Sequence, residues 1–476
     1  MRQNWSLKSF LKKLTPAIFG GLWTRVEASP VGERLLRGAF WSVLGTVVVR
    51  AFSLAAAIIA ARLIGKTVYG ELGIIQSTVG MLGTLAGFGM STTASKFVAE
   101  LRGKDPGKAG RIIALSSFSS WTISLVLAGL LVVLSPWLCE YTLAAPQIAK
   151  YVRLSAPLLV FSAINGAQLG VLLGFEAFKS IARVNALTGL VNFPLVVSGA
   201  LFFGLPGIIC GMVLAQGIGC LLNLFALRGQ AKDYGIQISY KTCMVEMPIL
   251  WQFSIPAVLT EIMISAVGWA TATALVRQAN GYSEMGAFSA ANQWFNAAFW
   301  LPMMIGGVVL PMLSERLGAD DSHNSGKLLW LSVKINALVV VPIAVVGSIA
   351  SPLIMTSYGK GFGNAWPILI VVLITAGVLS VEFPLGQFLS ASGRMWLGFT
   401  SNVGWAAVFL IANVLLLKWG ALGLAVARLL AYFAHAVFMF VYVSFVMNPR
   451  RSANSAPDQR DQQTETATEP LVSLNS

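Results

Sequence analysis

Charge is what this sequence has least of. Lys, Arg, Asp and Glu make up 11% of its 476 residues, against about 25% in an ordinary soluble domain. A soluble fold cannot cover a chain that is 56% hydrophobic with so few charges. The same hydrophobicity excludes disorder over most of the length, since disorder needs low hydrophobicity. Cysteine is scarce too. Cys139, Cys210, Cys220 and Cys243 form neither a C-x-x-C pair nor a secreted framework. Cys210 and Cys220 sit inside apolar runs and read as small buried hydrophobes. With only two histidines, His323 and His435, no metal site is expected, and no cofactor is implied. The formal charge of +14 is spread along the chain and not gathered into a nucleic-acid-binding face, so nucleic acid is not an expected partner. What remains is a polytopic, all-α membrane protein whose first partner is the bilayer.

A span needs about 20 mostly apolar residues. Twelve candidates satisfy this: 38–61, 69–93, 111–136, 151–174, 181–203, 206–227, 248–276, 285–312, 328–353, 366–390, 395–417 and 420–446. Pro136, Pro157, Pro194, Pro342 and Pro384 interrupt or end several of them, as is common in membrane helices. Orientation follows from Lys and Arg alone. With the N-terminus inside, 24 of the 33 basic residues fall on the cytoplasmic side, seven outside and two (Arg50 and Arg428) within spans. Both termini are therefore expected in the cytoplasm. The first long apolar run begins near Gly38, too far in and too long for a cleavable signal peptide. Residues 1–37 read as a cytoplasmic arm. Leu7, Leu11, Leu14, Ile18 and Leu22 share one helical face there, which suits an interfacial helix, although Pro16 fits a loose basic arm equally. From Asn448 to the end, Gln, Thr, Ser and Glu predominate, and this tail reads as disordered.

Six spans plus six invites a search for duplication. Arg62 and Arg277 are 215 apart, as are Glu100 and Glu315. Gly70 and Gly286 are 216 apart, as are Gly170 and Gly386, Gly204 and Gly420, and Gly207 and Gly423. A constant offset over this distance predicts two lobes, 38–240 (spans 1–6) and 241–447 (spans 7–12), before a tail at 448–476. With an even number of spans per copy, the two enter the membrane in the same sense, and such parallel repeats bind substrate at their interface.

The stretch A-R-L-I-G-K-T-V-Y-G-E-L at 61–72, followed by L-A-G-F-G-M-S-T-T-A-S-K-F at 85–97, resembles the start of the polysaccharide flippases. These are O-antigen (Wzx-type) and exopolysaccharide exporters of the superfamily that also holds multidrug extruders of the MATE type. In length, span count and six-plus-six repeat, the resemblance covers essentially the whole chain. It implies a MATE-like V-shaped pair of six-helix lobes around a cavity, in the bacterial inner membrane, open alternately to each side. It also implies a polyprenyl-diphosphate-linked oligosaccharide as cargo, polysaccharide polymerase and chain-length machinery as partners, and a monomer.

Polar groups deep in a bilayer are costly and are functional candidates by default. At 1.5 Å per residue, Arg50 lies roughly 18–20 Å from Arg37 and from Arg62, and Glu261 is about mid-membrane between Glu246 and Arg277. Ser42, Thr46, Arg50 and Ser53 fall on one helical stripe. Ser254, Glu261, Ser265 and Gly268 form another. Gln76 and Asn292, at offset 216, extend into further stripes, the first through Thr84 and Ser91, the second through Asn296, Trp300 and Gly307. Trp and amides suit sugar rings, and the permanent, planar charge of Arg50 suits a diphosphate. Arg50 and Glu261 could equally neutralise each other across the lobes, and the amides could be interhelical glue. Arg62 and Arg277 cap the outer ends of equivalent helices, either as an outer gate or as snorkelling side chains. Glu382 and Arg428 read as a structural pair within the second lobe, and His435 as a packed, satisfied imidazole.

Two other functions remain to be weighed. A membrane polymerase or ligase needs catalytic groups on a sizeable external loop, and no external connection here reaches 20 residues. A MATE-type ion-coupled antiporter for drugs or metabolites would be expected to carry more acidic than basic groups in its cavity. Here Arg50, Arg62 and Arg277 stand against Glu261.

Overall fold

The structure, a computed structural model, describes residues 47, 49–248, 255–318 and 322–446. Among them the chain is all-helical, without strands. The helices are α1 (49–64), α2 (Lys66–Gly87), α3 (Met90–Leu101), α4 (Pro106–Trp137), α5 (Ala149–Gly174), α6 (Phe178–Asp233), α7 (Ile255–Val276), α8 (Gly281–Gly318), α9 (Ser322–Ile349), α10 (Ser351–Ser357), α11 (Trp366–Ala391), α12 (Met395–Leu416) and α13 (Gly420–Val446). The N-terminal arm before residue 47, the tail from 447, and Ser42, Thr46 and Ser254 of the polar stripes lie outside the described residues.

Local chemistry sets many of the boundaries. Asp105 caps α4 by accepting from the Lys108 amide at 2.9 Å, with Pro106 in the first turn, where its missing N–H costs nothing. Phe88 and Gly89 both adopt positive φ, which breaks the chain between α2 and α3. Many mid-helix hydroxyls turn back onto their own helix: Thr78 donates to the Ile74 carbonyl and Ser380 to the Ala376 carbonyl. A bilayer interior offers no water to take those protons.

Nine stretches of the described residues are long and apolar enough to span a membrane. Two of them are double length: Phe178–Asp233, with 56 residues, and Trp396–Phe445, with 50. Each reverses at a glycine. Gly204 has φ 61° and ψ −135°, and Gly420 has φ 60° and ψ −136°. These positions are 216 apart and share one backbone conformation, which L-residues with a Cβ adopt only under strain. After the first reversal the two arms of α6 close tightly, with Gly199 and Gly207 each facing the other's carbonyl. Counting both double-length stretches twice, and α1 as the described part of one more, the structure is compatible with the twelve expected spans.

The described residues fall into two compact units. The first holds residues up to Gln293 together with Pro352–Trp366, and the second holds Trp294–Ser351 and the chain from Pro367 on. One core of the first unit gathers Ala94, Val98, Ile113, Val171, Leu172 and Phe175; one core of the second gathers Leu313, Leu329, Leu385, Leu389 and Val443. In the first unit, the basic ends of α3 and α4 are tied to acids. Arg102 donates to Glu176 at 2.6 Å and Arg111 to Glu246 at 2.9 Å. All four thiols are free. Cys139, Cys220 and Cys243 are buried, but Cys210 is exposed, contrary to the sequence reading. An apolar run does not separate a helix's lipid face from its protein face, and a thiol is apolar enough for either.

Candidate functional site: a reciprocal helix crossing and the polar groups around it

Within the first unit, α2 and the start of α8 cross at backbone distance. A Cβ built on Gly70 would stand 1.8 Å from the Tyr282 carbonyl oxygen, and one built on Gly286 would stand 2.0 Å from the Lys66 carbonyl oxygen. Gly70 matches Gly286 at offset 216, and Lys66 matches Tyr282 at the same offset. Each contact is therefore the image of the other, as a two-fold relation between the repeats requires. Small residues let membrane helices approach in this way, and the approach brings Cα–H groups onto carbonyls.

The flanks of the crossing repeat the same logic. The Arg277 guanidinium donates to the Tyr141 carbonyl at 3.0 Å, and the Tyr282 hydroxyl donates to the Leu143 carbonyl at 2.8 Å. In the other copy, the Arg62 side chain packs over Gly359, its Cγ 3.2 Å from where a Cβ would stand, and Lys66 packs over Gly361. The turn at 138–146 and the segment around 352–362 are thus held by equivalent helix ends. Lys66 also pairs with Glu284 at 3.8 Å. Below it, Tyr69, Tyr358 and Phe362 form a buried aromatic cluster with ring centroids 5.6–6.4 Å apart. The Tyr69 phenol hydrogen-bonds Gln293.

Farther along α2 two of the polar stripes meet. The Trp269 indole N–H donates to Thr78 Oγ1 at 3.0 Å, and the hydroxyls of Thr84 and Ser265 lie 3.0 Å apart. Gln76 is half-buried, its amide donating to Met212 Sδ at 3.4 Å, and Asn292 is half-buried on α8. Arg50 on α1 and Glu261 on α7 are both exposed, and among the described residues neither has an ion-pair partner.

The second unit holds the remaining candidates. Asn296 is exposed and Trp300 half-buried on α8. Glu382 on α11 is buried and meets His435 of α13, with Oε1 2.7 Å from Nδ1. Arg428 lies over the Phe295 ring at 3.9 Å and hydrogen-bonds Tyr432. Sequence reasoning read His435 as packed and satisfied but did not name Glu382 as its partner. It also passed over Tyr282, Tyr358 and Ser401. The offset that relates Gly70 to Gly286 marked the crossing, though not that the two glycines touch.

Comparison with known proteins gives the context. The chain is 22% identical over 293 residues to the EPS I polysaccharide export inner membrane protein EpsE of Ralstonia nicotianae, covering 60% of this chain and 66% of that one. A similar match to EpsE of Ralstonia solanacearum covers 45% of that protein, so the chain spans less than two thirds of these relatives' length. It is 22% identical to the lipopolysaccharide biosynthesis protein WzxC of Escherichia coli, over 86% of this chain and 80% of that one. Among solved structures, an inward-facing MATE-family multidrug resistance transporter of the MOP superfamily superposes with a TM-score of 0.69 at 16% identity, over 86% of this chain and all of that one. The lipid II flippase MurJ, in an inward closed conformation, also gives 0.69, at 14% identity over 85% and 87%. These two likenesses establish a MATE-like fold. The sequence profile of one family, described as polysaccharide biosynthesis proteins, matches residues 35–316, more than half the chain, and it is to this family that the protein belongs.

Proposed function

We propose that the protein flips a lipid-linked polysaccharide repeat unit, carried on a polyprenyl diphosphate, across the bacterial inner membrane by alternating access, for surface polysaccharide biosynthesis. It is a transporter and not an enzyme. The observation that carries this reading is the family match over residues 35–316, joined by relatives named for polysaccharide export and lipopolysaccharide biosynthesis.

In this reading each candidate residue takes a role. The reciprocal crossing of α2 and α8, with Arg62 and Arg277 at its rim, is the outer gate in its closed state. Arg50 and Glu261 are exposed and free of each other, so Arg50 is available to pair bidentately with a diphosphate. Gln76, Asn292, Asn296 and Trp300 are the candidates for contacting the sugars. Glu382 and Arg428 serve the second lobe's interior. Residues 38–240 and 241–447 are the moving lobes, the 1–37 arm and 448–476 tail lie in the cytoplasm, and the protein works as a monomer beside the polymerase and chain-length machinery.

The test is cell-surface polysaccharide restored in a flippase-deficient strain. Wild-type chain restores it and Arg50→Ala, at equal membrane abundance, does not. Normal polysaccharide in Arg50→Ala combined with altered resistance to organic cations would reject this reading in favour of a drug antiporter.

A further inference from the structure

Glu382 is 5% exposed, in a helix with no other charged residue between Trp366 and Ala391. Its Oε1 lies 2.7 Å from His435 Nδ1, and its Oε2 has no hydrogen-bond partner. On the far side of the ring, His435 Nε2 lies 3.2 Å from Ser401 Oγ of α12. Ser401 Oγ is also 2.8 Å from the Gly398 carbonyl oxygen.

The protons in this chain of contacts can be counted. Ser401 has one hydroxyl proton and two acceptors within reach. If it donates to Gly398, then His435 Nε2 must carry a proton and donate to Ser401, and the short Glu382–His435 contact holds one more. If it donates to His435 Nε2 instead, the ring is neutral with its proton on Nδ1, which donates to a Glu382 carboxylate. The second arrangement holds one proton fewer. The Gly398 carbonyl is not orphaned by it, because the Asn402 side-chain amide donates there at 2.8 Å. Both arrangements keep every ring nitrogen hydrogen-bonded, so the site is built to exist with or without the extra proton.

The surrounding groups set the electrostatics. α13 brings Arg428 and Tyr432, which interact with each other, and Tyr432 also feels Glu382. α8 brings Phe295 under Arg428 and Phe299 against Phe383. α9 packs through Gly347 on Leu373, and its lysines, Lys327 and Lys334, are exposed. Carboxylate, neutral imidazole and guanidinium sum to zero; the protonated arrangement carries one positive charge in an apolar interior, a different load on the same helices.

The first repeat holds no counterpart. At offset 216, Glu382, Ser401, Arg428, Tyr432 and His435 become Gly166, Asn185, Met212, Gln216 and Gly219. The polar group beside them is an amide network, in which Asn165 donates to Gln216 at 3.0 Å and Asn223 to Asn165 at 3.1 Å. Amides do not titrate. The duplication kept a buried polar knot in both halves and made only one of them ionisable.

We propose that Glu382, His435 and Ser401 form a proton-binding site: the Glu382–His435 pair takes up one proton from water, and the Ser401 hydroxyl turns from His435 Nε2 to the Gly398 carbonyl to accommodate it. If the chain is the flippase proposed above, this is where a proton gradient acts on it; the binding itself does not depend on that reading.

The chain has two histidines, which makes the test direct. Full-length protein carrying His323→Gln, labelled with ¹⁵N-histidine and held in lipid vesicles, reports His435 alone. The expected result is an Nε2 resonance that moves in one step from the acceptor type to the N–H type as the pH is lowered through the range in which histidine side chains change charge. Glu382→Gln should displace the midpoint by more than one pH unit, because the pair titrates as a unit. A single pH-independent state of His435 across that range overturns the proposal, and so does an unmoved midpoint in Glu382→Gln. Should that variant not reach the membrane, the titration of the His323→Gln protein decides alone. Loss of surface polysaccharide plays no part in the readout, so a titrating His435 in a protein that exports nothing would sink the transport reading and leave this one standing.

Discussion

Replacing Gly70 by Ala places a methyl carbon 1.8 Å from the Tyr282 carbonyl oxygen. A carbon–oxygen contact needs about 3.3 Å, so α2 and α8 must part by roughly 1.5 Å at that point. The obstacle is backbone and cannot turn aside as a flexible side chain would. Overpacking of this kind costs about 1–3 kcal/mol, and here it falls on the closed crossing alone, because the clash vanishes once the helices separate. If this crossing is the proposed gate, about 3 kcal/mol shifts the balance toward its open state by roughly 100-fold. Gly286→Ala meets the Lys66 carbonyl at 2.0 Å and should shift it by a similar factor. The assay places a single cysteine at Gln76, with the exposed Cys210 and the three buried thiols replaced by serine or alanine, and labels whole cells with a membrane-impermeant maleimide. Gly70→Ala and Gly286→Ala should each raise labelling at Gln76→Cys, and surface polysaccharide should fall because the transporter no longer closes outward. Equal labelling in parent and variants, with normal polymer, would refute the claim that this crossing is the gate. Strong labelling in one variant and none in the other would refute its two-fold character.

The span pattern was legible because twenty-residue apolar runs are long signals, and the broken ones end at glycine or proline. The repeat was legible for a related reason: Gly204 and Gly420 must hold one special backbone angle, and Gly70 and Gly286 one close approach, so neither pair can drift. Which groups partner which was less visible. Glu382 and Arg428 are the conspicuous charges of the second lobe, and pairing them by sign alone left out His435, whose neutral form carries no charge to count. Seven residues separate Arg428 from His435, two helical turns, so both fall on one face of α13 and the spacing does not choose between them. The helices also carry little amphipathic signal, since lipid and protein interior are both apolar. That is why the exposure of Cys210 was misjudged, and why the tyrosines at the crossing, Tyr69, Tyr282 and Tyr358, drew no notice before their hydroxyls and rings were placed.

Three further outcomes are expected. Arg50→Lys keeps the charge but loses the planar fork, so it should reduce surface polysaccharide, with Arg50→Ala worse; if Arg428→Ala abolishes export while Arg50→Ala is normal at equal expression, the diphosphate is held by the other arginine. Glu261 has no ion-pair partner among the described residues, so Glu261→Gln should leave thermal stability in detergent within about 0.5 kcal/mol of wild type, and a larger loss would mean it is paired after all. The last concerns the two reversals. Gly204 and Gly420 share φ near 60° and ψ near −135°, and nothing lies within 4 Å of where a Cβ on Gly204 would stand. Gly204→Ala therefore costs backbone strain without collision, about 1–3 kcal/mol, and Gly420→Ala pays the same backbone term. Because the strain is local to a turn between two antiparallel arms, it should lower the unfolding temperature and leave Gln76→Cys labelling unchanged. Thermal unfolding and maleimide labelling of the same two variants separate the effects. A reversal variant that opened the gate while keeping its stability would show that these turns move during transport, contrary to a fixed role.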